Sequence, residues 1–449
     1  MKIIIAGAGE VGFHLAKLLS YESQDITLID NDRKSLNYAD THLDIRTIKG
    51  DATSIRILRE SQIKGVDLVI GVTESENTNI TICVLAKQLG AKKTIARISN
   101  TEFIDFKEEI GFTKFGIDEL ISPEALATKE IGLLLNQSAF SDTYEFEGGA
   151  LTLIGVTLSR TASFVGKTVK EAAKIFPELH FQPIAIQRFG TQYTLIPRGD
   201  TQFKEGDQVY FTTIKGGVEE LYKLTGKIKQ EIKNVMILGG SKIGEQTAKQ
   251  LCFTKFNVKL VENNSDRAFD LADDLPKALV INGDGRNVEL LEEENIQDMD
   301  AFIAVTGNSE TNIMSCLVAK SKSVKKTIAL VENMDYFQLS HSIGIDTLIN
   351  KKLLAANNIF RYIRRGDVVA MTKLNNMNAE LLEFIVKSTS EVCNTLIKDV
   401  AFPRAAIISG VIRDGKGIIA LGDFLIKSGD RIVVCCLPRA IVKVEKLFL

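Results

Sequence analysis

The sequence predicts an α/β fold: a tandem pair of doubly wound parallel-sheet domains, each followed by a small α+β domain. Three observations carry this. Short apolar runs alternate with segments of helical period in two long stretches, the pattern of βαβ units. A glycine-rich turn follows the first apolar run directly. The motifs of the first half return in the second at an almost constant spacing.

The first strand is predicted at Ile3–Ala6, and a helix over Val11–Leu19 follows the turn. Further strands are predicted at Ile26–Ile29, Leu68–Val72 and Thr94–Ile98, with helices over Ser54–Ser61 and Asn77–Leu89. Together these make a Rossmann-like domain over residues 1–135. Residues 136–228 alternate β-rich runs with one helix-like stretch near 167–176, which reads as a small α+β domain. Residues 229–365 and 366–449 repeat the pair. Ile26–Asp30 returns as Val258–Glu262, Gly50-Asp51 as Gly283-Asp284, and Thr78-Asn79-Ile80 as Thr311-Asn312-Ile313. Gly7 to Gly239 is a step of 232 and Thr73 to Thr306 one of 233. In the small domains Gly206-Asp207 precedes one strand-like run and Gly429-Asp430 another.

Composition narrows the function. The 449 residues are 45% apolar and 25% charged, as in a multi-domain globular chain and not a disordered one. Lys plus Arg is 55 against 57 Asp plus Glu, a net charge of −2 that argues against nucleic-acid binding. No apolar run reaches the roughly 18–20 residues of a bilayer span. The apolar start is too short for a signal peptide and runs straight into Gly9, Glu10 and Gly12. The six cysteines form no C-x-x-C pair and have no histidine at ligand spacing, so they read as reduced core thiols with no metal site.

Gly7-Ala8-Gly9-Glu10-Val11-Gly12 is G-x-G-x-x-G between a strand and a helix, the context of a dinucleotide loop. Gly7 allows the tight turn, Gly9 lets a pyrophosphate reach the backbone, and Gly12 lets helix and strand pack closely. The helix N-terminus offers free N–H groups and a positive dipole. Asp30 closes the second strand, where a carboxylate accepts from ribose hydroxyls and repels a 2′-phosphate, favouring NAD(H) over NADP(H). The competing role for Asp30 is a turn residue in Asp30-Asn31-Asp32. Asp51 ends the third strand, with two roles open: accepting from the adenine amino group, with Ala52 beside it, or capping the helix over Ser54–Ser61. Thr73, with Glu74 after it, ends the fourth strand. Arg97 ends the next and is a candidate phosphate cation, against a solvated surface arginine.

The second copy is altered. Gly239-Gly240-Ser241-Lys242-Ile243-Gly244 puts Ser241 at the position of Gly9, which is expected to obstruct the backbone. Glu262 replaces Asp30, Asp284 repeats Asp51, and Leu330 replaces Arg97. Lys242 and Arg286 are candidate replacement cations or solvated side chains. In the first small domain Arg188, Arg198 and Lys204 are a candidate anion-facing set, against a solvated charged β-face.

Gly7–Gly12, Asp30, Gly50–Thr53, Val72–Glu74, Ala96-Arg97 and the stretch Ile117–Ala125, echoed at Ile345–Ile349, resemble the TrkA family, over essentially the whole chain. Members are peripheral regulatory subunits of Trk-type potassium uptake systems, built from two RCK units. The resemblance implies NAD(H) or ATP/ADP as ligand at the first site. It implies a homo-oligomer, a dimer or tetramer arranged as a ring, and an integral-membrane potassium transporter of the Trk type as partner. It places the chain in the cytoplasm, on the inner face of the membrane through that partner. Leu120, Ile121, Leu126, Ile131, Leu133, Leu134 and Leu135 are an apolar set for a partner subunit or for the chain's own core. His14, His42, His180 and His341 form no catalytic constellation, so the chain is expected not to be an enzyme. The alternatives are an NAD-dependent oxidoreductase and a nucleotide sensor for another protein.

Overall fold

The computed structural model describes the chain except residues 21–23, 137–141, 176–179, 192, 227–230, 334–335, 337–343, 361, 363–367 and 375–376. His341 lies outside the described residues.

The first sheet is built from β1 (Lys2–Ala6), β2 (Asp25–Asp30), β3 (Arg46–Lys49), β4 (Leu68–Gly71), β5 (Lys93–Arg97) and β6 (Glu119–Ile121). Its order is β3-β2-β1-β4-β5-β6 and all its pairs are parallel. The central strands are apolar on both faces because helices cover both; Ile5, Leu68, Val69 and Ile70 are fully buried. Between them run α1 (Glu10–Ser20), α2 (Arg33–His42), α3 (Ile55–Glu60) and α4 (Glu76–Gln88). After β5 come the short helices α5 (Glu102–Asp105) and α6 (Lys107–Ile110), and after β6 comes α7 (Pro123–Asn136).

The second copy repeats this with β12 (Asn234–Leu238), β13 (Asn257–Glu262), β14 (Leu279–Asn282), β15 (Ala301–Ala304), β16 (Lys326–Leu330) and β17 (Thr347–Ile349). Its order is β14-β13-β12-β15-β16-β17, the same wiring. Its helices are α10 (Lys242–Cys252), α11 (Ser265–Asp274), α12 (Val288–Glu293), α13 (Ser309–Ser321) and α14 (Lys351–Phe360).

The small domains are antiparallel. The first has β7 (Asp142–Phe146), β8 (Leu151–Thr157), α8 (Val169–Ile175), β9 (Phe181–Gln187), β10 (Thr194–Leu195), β11 (Gln208–Ile214) and α9 (Gly217–Leu224). The second has β18 (Val368–Lys373), β19 (Glu380–Ile385), β20 (Ala406–Arg413), β21 (Lys416–Ile418), β22 (Arg431–Cys436) and α15 (Ile441–Leu447). They share one core, in which Phe146, Leu151 and Tyr210 meet Leu381, Ile412 and Val433. Gly417 permits the approach: a Cβ there would stand 2.0 Å from the Ala150 carbonyl oxygen. Within this core Arg431 Nε lies 2.8 Å from Glu383 Oε1, and Arg431 also contacts Glu147. Glu383 is 1% exposed, and burial pushes its carboxyl up to about 7.

The recurring Gly-Asp has a structural job. Asp207 accepts the Lys204 N–H and pairs with Arg188; Asp430 accepts the Lys427 N–H and both Arg413 donors. Gly206 and Gly429 take φ of +79° and +88° to make these turns. Arg198 donates to the carbonyls of Arg404 and Ala406. The anion-facing set is therefore not assembled: Arg188 and Arg198 already hold the fold, and only Arg198 and Lys204 of the three are exposed.

Packing groups the chain into two units, Met1–Ala127 with Asn350–Ile363, and Thr128–Ile349 with Arg364–Leu449. Thus α14 follows the second parallel sheet in sequence but packs on α1 and β6. In the other unit Gly132 of α7 comes close to α10, where a Cβ would stand 2.6 Å from Gln250 Nε2. The apolar set of residues 117–135 is covered by the chain itself: Ile131, Leu134 and Leu135 are at most 2% exposed. Leu126 and Leu133 of the same segment are only partly buried. No described helix is long and apolar enough to cross a membrane.

Candidate nucleotide site

The glycine loop joins β1 to α1. Gly7 takes φ +113°, and a Cβ there would meet the Val72 and Thr73 backbone at 2.9 Å. A Cβ on Gly12 would stand 1.8 Å from the Gly7 carbonyl oxygen, so helix and strand could not meet with any side chain there. A Cβ on Gly9 would meet nothing within 4 Å. The space above Gly9 is open, and it adjoins the first turn of α1, whose N–H groups lack intrahelical acceptors. That opening can receive an anion. Ala8, Val11 and Ala52 are buried beneath the site, while Glu10, Asn31 and Glu74 are exposed at its surface.

Asp30 serves the turn and the loop together. Its Oδ1 accepts the Asp32 N–H at 2.7 Å and its Oδ2 the Ala8 N–H at 2.5 Å. Each oxygen retains lone-pair capacity for a ribose hydroxyl. Asp51 Oδ1 accepts both the N–H and the O–H of Thr53 at 2.8 Å. It therefore closes the turn before α3 and does not cap the helix; Ser54 occupies the N-cap position without a side-chain bond.

Asn79 was legible only as a repeated residue, yet it ties the strand ends together. It is 1% exposed. Its Oδ1 accepts the N–H and O–H of Thr73, and its Nδ2 donates to the carbonyls of Thr73 and Arg97. The signal was an asparagine at a helical position that must face buried strand ends in both copies. Arg97 is half-buried, with Nη2 3.6 Å from Glu124 Oε1, so it is not a solvated surface arginine. Glu124 is buried, and its Oε2 has no hydrogen-bond partner among the described residues.

The second copy reproduces the frame. Gly239 takes φ +105°, and a Cβ on Gly244 would stand 2.0 Å from the Gly239 oxygen. Glu262 Oε2 accepts the Gly240 N–H at 2.6 Å and Oε1 the Asn264 N–H at 2.7 Å, so its longer arm makes the same two bonds as Asp30. Asn312 repeats Asn79 on Thr306 and Leu330. Ser241 turns its hydroxyl inward, donating to the Val305 carbonyl at 2.7 Å and capping α10 by accepting from Gly244. Only its Cβ, and not its hydroxyl, stands in the way of a ligand. An open cleft of about 510 Å³ remains, lined by Gly239, Ser241, Glu262, Asp284, Arg286 and Thr306. Arg286 is not an uncommitted cation there: it grips Asp284 through Nε and Nη2. Hydrogen bonds from the Arg286 side chain and backbone hold the Asp284 carboxyl down at about 2. Lys242 is exposed and Ile243 buried.

Two Rossmann-type sheets, each opened by a dinucleotide loop and followed by a small antiparallel domain, define a tandem nucleotide-binding regulator fold. The TrkA-N domain model matches residues 3–123 and 235–351, and the TrkA-C domain model matches residues 153–226 and 381–449. The chain belongs to the TrkA family. It is 33% identical over 453 residues to the Trk system potassium uptake protein TrkA of Halomonas elongata, covering 100% of this chain and 98% of that one. It is 32% identical to TrkA homolog 2 of Methanosarcina mazei, with 100% of both chains covered. Among solved structures, the GsuK channel bound to NAD shares the fold at a TM-score of 0.62 and 14% identity, covering 100% of this chain and 78% of that one.

Proposed function

We propose that this chain is a cytoplasmic regulatory subunit that binds NAD(H), or ATP/ADP at the same place, and gates an integral-membrane potassium transporter of the Trk type. It works as a homo-oligomer, a dimer or tetramer, peripheral to the membrane through its partner, and turns nothing over. The observation that carries this reading is the open cradle above Gly9 with Asp30 at its edge, in a chain of the TrkA family. The side chains around the cradle hold backbone or one another: Asp30 the loop, Asn79 the strand ends, Arg97 its carboxylate neighbour. Such groups bind and orient; a dehydrogenase needs a group placed to move a proton.

A ligand drives a switch only through different affinities for two conformations. A tenfold preference is worth about 1.4 kcal/mol, enough to take a balanced equilibrium to roughly 10:1. NAD(H) and ATP place different phosphate groups beside Thr73 and Arg97 and so favour different conformations. The test is potassium flux into vesicles carrying the transporter, with this protein added and the nucleotide varied. Flux is expected to depend on both and to lose its nucleotide dependence in Arg97→Ala. Flux indifferent to the protein overturns the proposal.

A further inference from the structure

We propose that Lys352, carried on α14, is a phosphate-binding residue of the first nucleotide site. The inference deepens the nucleotide-binding reading above and rests on it.

Lys352 is a buried lysine, its side chain 10% exposed, and its ammonium lies against the carboxylate of Glu10. Glu10 is the first residue of α1 and follows Gly9 directly, so its backbone N–H belongs to the open first turn where a phosphate sits. The Lys352 ammonium is therefore within one glutamate side chain of the phosphate cradle. The two partners differ in exposure. The Glu10 side chain is 70% exposed, whereas the Lys352 stem is packed away. A buried ammonium is costly without a counter-charge, and Glu10 supplies one. A phosphate supplies a better one, with more charge and several acceptor oxygens for the three ammonium donors. On nucleotide binding Glu10 swings to water and the phosphate takes its place on Lys352.

The sequence repeat shows that this charge is special to α14. The position of Lys352 in the first copy is Glu124, which stands against Arg97. In the second copy the pair is not kept: the uncharged Leu330 replaces Arg97, and Lys352 replaces Glu124 with the opposite sign. Glu10 likewise becomes Lys242. The side chain is held in place by its own helix start, where Asn350 Oδ1 accepts the Lys352 and Leu353 N–H groups at 2.9 and 3.0 Å.

The test is calorimetry on the full chain carrying Gly307→Phe, which fills the second cleft from a position whose Cβ meets nothing within 4 Å. Adenosine, ADP and NADH are the probes. Lys352→Gln is expected to weaken ADP and NADH tenfold or more while leaving adenosine unchanged. Lys352→Arg is expected to restore most of the loss, and Glu10→Gln to raise the preference for ADP over adenosine severalfold. Equal losses for adenosine and ADP, or no loss for either, overturn the proposal and leave the nucleotide reading standing. A parent protein that binds neither ADP nor NADH overturns the nucleotide reading itself. Should Lys352→Gln not fold, the Glu10→Gln ratio decides: an unchanged preference overturns the assignment.

Discussion

Asp30 accepts the backbone N–H of Ala8 at 2.5 Å, so the carboxylate that closes β2 also shapes the glycine loop. NADH is therefore expected to bind the first site more tightly than NADPH. Asp30→Ala should cost on the order of 1.5–3 kcal/mol of NADH affinity, the worth of a charged hydrogen bond. Asp30→Asn keeps an acceptor but drops the charge, and should narrow the gap between the two cofactors. Titration of the full chain reads both; equal affinity for NADH and NADPH in the parent would show the charge to be irrelevant.

The second site is expected to bind NADH about tenfold more weakly, the worth of one charged hydrogen bond. The cause is a missing cation and a Cβ at Ser241, since the hydroxyl itself points away. Arg286 is already spoken for by Asp284. Ser241→Gly should tighten this site, at some loss of helix capping. A two-site titration in which the sites are equal, or the second is the tighter, contradicts this.

Removing Asn79 strands four backbone or hydroxyl groups of Thr73 and Arg97 in a buried place. Asn79→Ala should destabilise the first unit by roughly 2–4 kcal/mol. Asn312→Ala should do the same to the second copy. Urea unfolding measures it, and losses under 1 kcal/mol would mean the network is dispensable.

Glu383 sets a pH dependence. Its folded carboxyl titrates near 7, well above the ordinary glutamate value, so the folded state holds the proton more tightly. The stability linked to it is complete below about pH 4 and is lost as pH rises through 7. Arg431 stands close by but is not aligned for a hydrogen bond with Glu383, and burial prevails. Glu383→Gln should match the parent at pH 4 and exceed it at pH 8 by up to about 3 kcal/mol. Melting curves at the two pH values decide; parallel shifts would assign the buried carboxyl no role.

Much of this was legible in the sequence. Apolar runs, glycine spacing and the repeat placed both parallel sheets, both loops and the carboxylates Asp30 and Glu262, because each is written in local pattern. What local pattern does not encode is which partner a side chain finds. Arg286, Arg188 and Arg198 read as available cations and are all engaged, one by a carboxylate two residues away and two by groups brought near in folding. Asn79 and Lys352 were missed for the same reason: their meaning lies in residues 18 and 342 positions away, Arg97 and Glu10.

That α14 packs on α1 has a consequence for how the chain is made. The first unit ends at Ala127 and is completed only by Asn350–Ile363. A ribosome must therefore add 223 further residues, from 127 to 350, before the missing helix begins to emerge. At ordinary synthesis rates that is roughly 10–45 s, during which the α1 surface meant for α14 is bare. Residues 1–127 expressed alone are therefore expected to aggregate more readily than the full chain, and adding the helix in trans should relieve it.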